Sequence, residues 1–372
     1  MLESLAEQCE LVDRCVGGQA GFWDLSGEIP ITILRDLGSQ GILSAQIPAA
    51  YGGLDADSRH NGELTAHVGS RCSSLRSVMT SNGMAAWTVQ RFGDHTQRQR
   101  YLPRLAVGEL GAVGFSEPDA GSDLSAMRTE IRASGDTIVL TGQKKWVTAA
   151  AYADLLIIFG RYGEGAGVVV VPVSVPGVRI ERIPAPLGCR AAGHAHVYLD
   201  NVRLPADAVL GGGGQSLPLL VTTALSYGRI SVAWGCVGIL RACLSAAAGH
   251  AMSRAQFGKA LSEHQLVARH LAELLTAEQV ASRVCEHASA CWQKRSPEMV
   301  LATVLAKQVS ARNAAQGAAS AVQILASAGA QDGHVVARAY RDAKLMEIIE
   351  GSTEICQVIL AEHALKSREN PT

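Results

Sequence analysis

Over roughly the first 110 residues apolar side chains return every three or four positions, as at Leu34, Leu37 and Ile42, with breaks at Gly38, Gly41, Pro48 and Gly52-Gly53. That period predicts helices, each burying one stripe. From Ala112 to about Leu210 the period changes. The segments 129–133, 137–141, 155–159, 168–173 and 196–199 are short runs rich in β-formers, separated by Gly, Pro and Asp turns, and predict a small, mostly antiparallel β domain. After four glycines at 211–214 come four long stretches, about 216–250, 262–294, 297–329 and 334–366, rich in Ala and Leu and long enough for a four-helix bundle. The expected chain is mostly α with a central β domain, divided as 1–111, 112–214 and 215–372.

Composition narrows the function classes. The 372 residues suffice for two or three domains with a substantial core. Since 33 Lys+Arg offset 34 Asp+Glu, leaving a net charge of -1, no basic surface for nucleic acid or an anionic membrane is expected. Glu3, Glu7 and Glu10 stand where a signal peptide needs a basic flank and an apolar run, so a cytoplasmic protein is expected. The runs at 155–159 and 168–173 are far shorter than the ~18 to 20 residues that span a bilayer, which points to a soluble chain. Nine cysteines, an odd number with no Cys-x-x-Cys pair, read as reduced, mostly buried small hydrophobes. His194 and His196 share one face of a predicted strand with no further ligand in register, so they are taken as structural and no metal is expected. The glycines at 211–214 lack the Lys-Ser/Thr of a phosphate loop and read as a flexible linker. No Gly-x-Gly-x-x-Gly follows a strand, which disfavours a nicotinamide-binding Rossmann domain.

Three constellations carry chemistry. The first is Gly114-Phe115-Ser116-Glu117-Pro118-Asp119-Ala120-Gly121-Ser122-Asp123, followed by Gly142-Gln143-Lys144-Lys145-Trp146-Val147-Thr148. Gly121 lets backbone approach a ligand, Ser116 and Thr148 offer hydroxyls, and Trp146 supplies a flat apolar wall. By themselves these segments also fit a turn and a core tryptophan. The second is Arg254-Ala255-Gln256-Phe257-Gly258-Lys259 with Gln265, and further on Gln323-Ile324-Leu325-Ala326-Ser327-Ala328-Gly329. The planar fork of Arg254 suits phosphate. The third is Tyr340-Arg341-Asp342-Ala343-Lys344-Leu345-Met346-Glu347-Ile348-Ile349-Glu350-Gly351-Ser352-Thr353-Glu354. Two isoleucines beside Glu350 should raise its pKa and sharpen it as a base. Taken alone, Glu347, Glu350 and Glu354 equally describe a solvated helix face.

Together, in this order and over nearly the whole chain, these segments resemble the acyl-CoA dehydrogenase family, flavoenzymes with a helical domain, a β-barrel and a four-helix bundle. The resemblance implies noncovalent FAD, with Phe115, Ser116, Gly121, Ser122, Trp146, Val147 and Thr148 around the flavin. It implies that Arg254, Phe257, Gln265, Gln323 and Ser327 serve the dinucleotide of a neighbouring subunit, so that the protein is a homodimer or homotetramer, and that Ser352 and Glu354 also lie by the cofactor. The family's paired glycines after Gln323 are here Ala326 and Ser327, which implies looser FAD. Glu350 takes the place of the catalytic base. Where some branches carry the base beside an arginine on the first bundle helix, this chain has Gly228-Arg229, leaving Glu350 as base and Arg229 as a neighbouring cation that orients it. Ser122, Arg229, Gly351 and Arg76 are the implied substrate contacts.

The stretch Arg76-Ser77-Val78-Met79-Thr80-Ser81 resembles the one with which glutaryl-CoA dehydrogenases hold a distal carboxylate, although its spacing to Phe92-Gly93 and Tyr101-Leu102-Pro103 is off by about one residue. A surface arginine is the alternative there. Ile349 replaces the aromatic that usually precedes the base. The Ala- and Gly-rich chain also resembles acyl-carrier-protein-linked dehydrogenases that make hydroxymalonyl and methoxymalonyl polyketide extender units. That likeness implies a three-carbon hydroxylated acyl thioester whose β-hydride passes to flavin N5 while Glu350 takes the α-proton or a hydroxyl proton. Partners are then an acyl thioester on carrier protein or CoA and an electron acceptor that the sequence does not identify. The alternatives are a catabolic short-chain or dicarboxylyl acyl-CoA dehydrogenase and a flavin-binding acyl-carrier docking protein without dehydrogenation.

Overall fold

A computed structural model describes residues 4–369; Glu3, one of the three acidic residues weighed against a signal peptide, lies outside that range. Six helices come first: α1 Leu5–Val16, α2 Ala20–Ser26, α3 Ile31–Ser39, α4 Ser58–Arg71, α5 Ser73–Phe92 and α6 His95–Ala106. Helix α1 opens on a Ser4/Glu7 capping box and α6 on an Asp94/Gln97 capping box. Helix α5 is buried along nearly its whole length, polar residues included, which makes it the wall between the helical and β layers.

The middle layer comprises β1 Gly111–Gly114, β2 Glu130–Ser134, β3 Thr137–Val147, β4 Leu155–Tyr162, β5 Gly165–Pro172, β6 Val178–Arg182 and β7 Ala195–Pro205. The order is β1-β4-β2-β3-β7-β6, with β5 on the other edge of β4. Two pairings, β1 with β4 and β2 with β4, are parallel and the rest antiparallel. The sheet is a half-barrel, the expected central β domain between two helical ones. β1 and β2 occupy successive lengths of the same β4 edge, so the strand run that closure would need is interrupted there.

The expected flexible linker is corrected. All four glycines at 211–214 hold positive φ, the Gly211 amide donates to Gln97 Oε1, and a Cβ on Gly211 or Gly213 would lie 2.6 Å from the Phe92 carbonyl oxygen or 2.5 Å from the Tyr162 ring. The run is a packed corner that tolerates no side chain at those two positions.

The last layer holds α7 Leu217–Ser253, a two-strand hairpin of β8 Ala255–Gln256 and β9 Lys259–Ala260, and helices α8 Gln265–Gln293, α9 Met299–Leu325, α10 Val335–Ile348 and α11 Thr353–Glu369. Helix α7 packs on α4 and α5 on one side and on α8, α9 and α10 on the other. It is long and apolar enough to cross a bilayer by length and composition, a length the short apolar runs did not anticipate, but 72% of its most apolar window is buried within the protein. It is the core helix of the bundle. All nine cysteines are free, and seven are buried.

The fourth predicted bundle helix is in fact two. Helix α10 ends at Ile348 and α11 begins at Thr353, and between them Glu350 has φ +56° and Gly351 φ +92°. A left-handed backbone ends the helical run, so Glu347, Glu350 and Glu354 share no solvated face.

Ala326, where the resemblance noted above implies glycine, adopts φ +51° and ψ -129° at the end of α9. A Cβ in that region costs about 1 to 3 kcal/mol, and glycine's extra unfolded-state entropy gives back part of any relief. Ala326→Gly is therefore expected to raise unfolding free energy by about 1 kcal/mol, as urea denaturation would measure; a loss of stability would show that the turn accommodates alanine without strain.

Candidate active site

Glu350 sits on the α10–α11 break. Its Oε2 is shut off from solvent and has no hydrogen-bond partner. The carboxylate occupies space that α7 leaves open: a Cβ built on Gly228 would meet Glu350 Oε2 at 2.1 Å. Gly228 thus cannot take a proton, and its missing side chain is what admits the Glu350 carboxylate. Burial raises the Glu350 pKa, and the Arg229, Lys307 and Arg76 charges pull it part of the way back. The isoleucines contribute less than the sequence suggested, since Ile348 is 54% exposed.

Two buried cations hold the main chain around this residue. Arg229 Nε donates to the Glu350 carbonyl oxygen at 3.1 Å, and Lys307 Nζ, on α9, donates to the carbonyl oxygens of Gly351 at 2.6 Å and Glu347 at 3.3 Å. They brace the strained turn without pairing with the carboxylate.

A second region is built from the loop after β1. Lys144, fully buried, donates to Glu117 Oε1 at 2.7 Å and to the Phe115 carbonyl at 3.1 Å, while Glu117 also accepts from the Arg128 and Thr129 amides. Burial would raise the Glu117 pKa, but the bonds from Lys144 and Thr129 outweigh it and hold the carboxyl below its usual range; burial brings Lys144 down to about 8. This ion pair fixes the base of the 115–123 loop, and the Lys145 amide ties it to β3 through the Ser116 carbonyl at 2.8 Å.

On that base, Ser116 is half-buried, Gly121 and Ser122 are exposed, and nothing lies within 4 Å of a Cβ on Gly121. Phe115 stacks on Phe159, with centroids 4.3 Å apart. Trp146 has φ +55° and is 54% exposed at an irregularity in the β3–β7 register, while Val147 behind it is buried against Ala195. An exposed indole held beside the Thr148 hydroxyl and an open loop is a surface prepared for a flat ligand. The residues fit a flavin.

Arg76 is 1% exposed, so the surface alternative is excluded. Its Nη1 meets Thr80 Oγ1 at 3.3 Å and its Nη2 the Met346 sulfur at 3.0 Å, while Nε has no partner. No carboxylate pairs with it among the described residues. Beyond it α5 and α7 close on one another: Thr80 and Ser231 hydroxyls lie 2.7 Å apart, and the Tyr227 hydroxyl sits 2.0 Å from where a Gly83 Cβ would be. The cavity past that contact, lined by Gly83, Ala86, Trp87 and Tyr227, holds about 10 Å³.

The remaining expected contacts lie elsewhere. Arg254, Phe257, Gln265, Gln323 and Ser327 are all exposed, and Arg229 and Arg254 are separated by about 38 Å along the axis of α7 at ~1.5 Å per residue. Ser352 is half-buried two residues after Glu350, and Glu354 is exposed on α11. Asp342, from the third motif, accepts from the Cys189 amide at 2.6 Å, and so ties α10 to the loop before β7. The sequence reading missed Lys307, Tyr227 and Ser231. A lone lysine among Ala302, Thr303, Ala306 and Ser310 on the apolar face of α9 was the available signal for the first.

Three family profiles match in order: acyl-CoA dehydrogenase N-terminal domain over 5–109, middle domain over 112–202 and C-terminal domain over 219–365. The probable acyl-CoA dehydrogenase YngJ of Bacillus subtilis (strain 168) is 32% identical over 352 residues, 92% of either chain. Glutaryl-CoA dehydrogenase of Desulfococcus multivorans is 31% identical, covering 93% of this chain and 92% of its own. Among solved structures FkbI, described as acting in biosynthesis of the methoxymalonyl extender unit of the Fk520 polyketide, aligns with TM-score 0.93 and 62% identity over 96% of this chain and 99% of that one. Glutaryl-CoA dehydrogenase from Mycobacterium smegmatis aligns with TM-score 0.92 at 27% identity over 98% and 95%.

Proposed function

The chain belongs to the acyl-CoA dehydrogenase family, an FAD-dependent oxidoreductase of acyl thioesters, and we propose that its substrate is a small hydroxylated acyl unit carried on an acyl carrier protein in extender-unit assembly. The observation that carries this reading is the closed α5–α7 seam. From the buried Arg76 guanidinium along α5 and α7, the Thr80–Ser231 contact and the Tyr227 hydroxyl fill the seam, and the cavity beside Gly83 and Tyr227 holds about 10 Å³, a poor fit for a long saturated chain. A short polar acyl group needs none of that depth and gives Arg76 a partner. The likeness to FkbI supports the carrier-protein pathway.

FAD, when bound, supplies the two-electron acceptor. Ser116, Gly121, Ser122, Trp146 and Thr148 would hold its ring system, with the Glu117–Lys144 pair setting the loop. Glu350 takes a substrate proton at its free Oε2, which desolvation has made more basic than an exposed carboxylate. Arg229 and Lys307 keep that oxygen in place through the main chain. Presenting the purified protein with a panel of acyl thioesters while following the visible flavin band tests the whole reading; bleaching by long saturated thioesters in preference to short hydroxylated ones would overturn it. Arg76→Leu should keep FAD and weaken a polar acyl substrate by about 2 kcal/mol or more, the range of a lost charged hydrogen bond. Unchanged kinetics would remove Arg76 from the pocket.

The protein is further read as an oligomer with shared cofactor sites. Phe257 is 96% exposed at φ +54° on the β8–β9 hairpin, with Met252 at 68% and Leu266 at 76% nearby, an apolar cluster beside Arg254. Arg254 lies about 38 Å along α7 from Arg229 at ~1.5 Å per residue, and in this reading it serves the dinucleotide of a partner chain. Sedimentation of FAD-loaded protein is expected to give at least twice the chain mass, and an FAD-loaded monomer refutes the shared site.

A further inference from the structure

Of the ten buried side-chain polar atoms without partners among the described residues, three bear on the site and belong to three different segments: Arg76 Nε on α5, Glu350 Oε2 on the α10–α11 break, and His194 Nε2 just before β7. The first two have parts in the reading above. His194, set aside as structural from sequence, does not. It is 8% exposed. Its Nδ1 faces Thr148 Oγ1 at 3.2 Å, and its ring centroid lies 6.0 Å from that of Trp146. The imidazole is thus oriented through one nitrogen by a residue of the flavin region while the other is left bare. A buried nitrogen without a partner costs about 1 to 3 kcal/mol, and such an atom in a native site calls for a ligand to satisfy it.

We propose that His194 is a specificity-determining residue that hydrogen-bonds, through Nε2, the hydroxyl carried by the acyl unit, with Arg76 on the other side of the same group. The proposal rests on the small hydroxyacyl reading of the site. The Arg76 charge acts on both His194 and Glu350, which places the guanidinium within electrostatic reach of the imidazole and the base. Burial first, and Arg76 second, push His194 down to about 4, so the ring is neutral at physiological pH. When the Thr148 hydroxyl donates to Nδ1, Nε2 carries the proton and donates; with the bond reversed, Nε2 accepts. A hydroxyl partners either form, whereas a saturated methyl group satisfies neither. The segment is braced for this role: Ala191 N bonds Ser74 Oγ at 3.2 Å and Cys189 N bonds Asp342, so the loop bearing His194 is pinned to α5 and α10 together.

The test uses FAD-loaded Glu350→Gln protein, in which a thioester binds without turnover, and reads perturbation of the visible flavin band on titration with 3-hydroxypropionyl and propionyl thioesters of one carrier. Adding His194→Leu should weaken the hydroxylated thioester about tenfold or more and leave propionyl within twofold, and His194→Gln should restore part of the difference. FAD content is measured in each variant. Discrimination kept in His194→Leu, or equal weakening of both thioesters, overturns the subsite alone. A parent that binds the two thioesters equally overturns the small-hydroxyacyl reading and the subsite with it.

Discussion

Glu350→Gln protein is expected to purify yellow and to bind thioester, while its flavin reduction falls by ~10² to 10⁴ or more, the share assigned to general base catalysis. The amide fills the same space opposite Gly228 and keeps the main-chain bonds to Arg229 and Lys307, so cofactor and fold should be spared. Reduction within tenfold of the parent rate would put the base elsewhere. The pH dependence has a definite sign. Burial raises the Glu350 pKa, so the parent's kcat/KM for reduction should rise with pH along a limb displaced above the ~4.3 of a free glutamate. Stability runs the other way: a folded-state pKa above the unfolded one contributes stability that is full below the unfolded value and is lost as pH rises through the folded value. Glu350→Gln should therefore be more stable than the parent near neutrality, and the gap should shrink on acidification.

Lys307→Met is expected to cost about 10²-fold in flavin reduction although Lys307 touches neither base carboxylate nor substrate. It removes the donor to two carbonyls of the left-handed turn, and displacement of a catalytic group by about 1 Å is worth that much. Those acceptors would keep only the weak bonds from Thr353 Oγ1 at 3.4 Å and Cys356 Sγ at 3.6 Å, so some stability is lost as well. A purely structural role would lower stability and leave the pH profile alone. Because the Lys307 charge lowers the Glu350 pKa, its loss should also shift the acid limb of kcat/KM upward, and Lys307→Arg should return the limb toward its original position. A variant with reduced stability and an unmoved limb would confine Lys307 to the fold.

Legibility in the sequence tracked the range of the interactions. Periods of three to four and of two identified the layers, since they report which face of each element meets its neighbours. The same period ran 334–366 together as one helix; Gly351 and Ser352 are local stop and start signals that it overrode, while the lysine that holds the turn lies some forty positions earlier. Glu350 was singled out by its motif and Arg229 as its neighbouring cation by the Gly228-Arg229 pair, whereas Lys307 and Arg76 reach it from two further helices and were not connected with it. Arg76 looked equally suited to surface and pocket, as burial of a polar residue on α5 depends on α7 and the half-barrel closing over it. Ala326 was flagged as a departure from glycine, and the positive φ it adopts shows why glycine suits that position.

The Phe257 hairpin, with its ring 96% in solvent beside Arg254, has a thermodynamic corollary under the shared-site reading. Covering that ring and completing the dinucleotide site become one event, so subunit association and cofactor retention are linked by mass action. The linkage is reciprocal: whatever factor association gives to FAD affinity, FAD returns to association. Dilution then strips colour and subunits together, and added FAD protects quaternary structure as effectively as concentrated protein protects the colour.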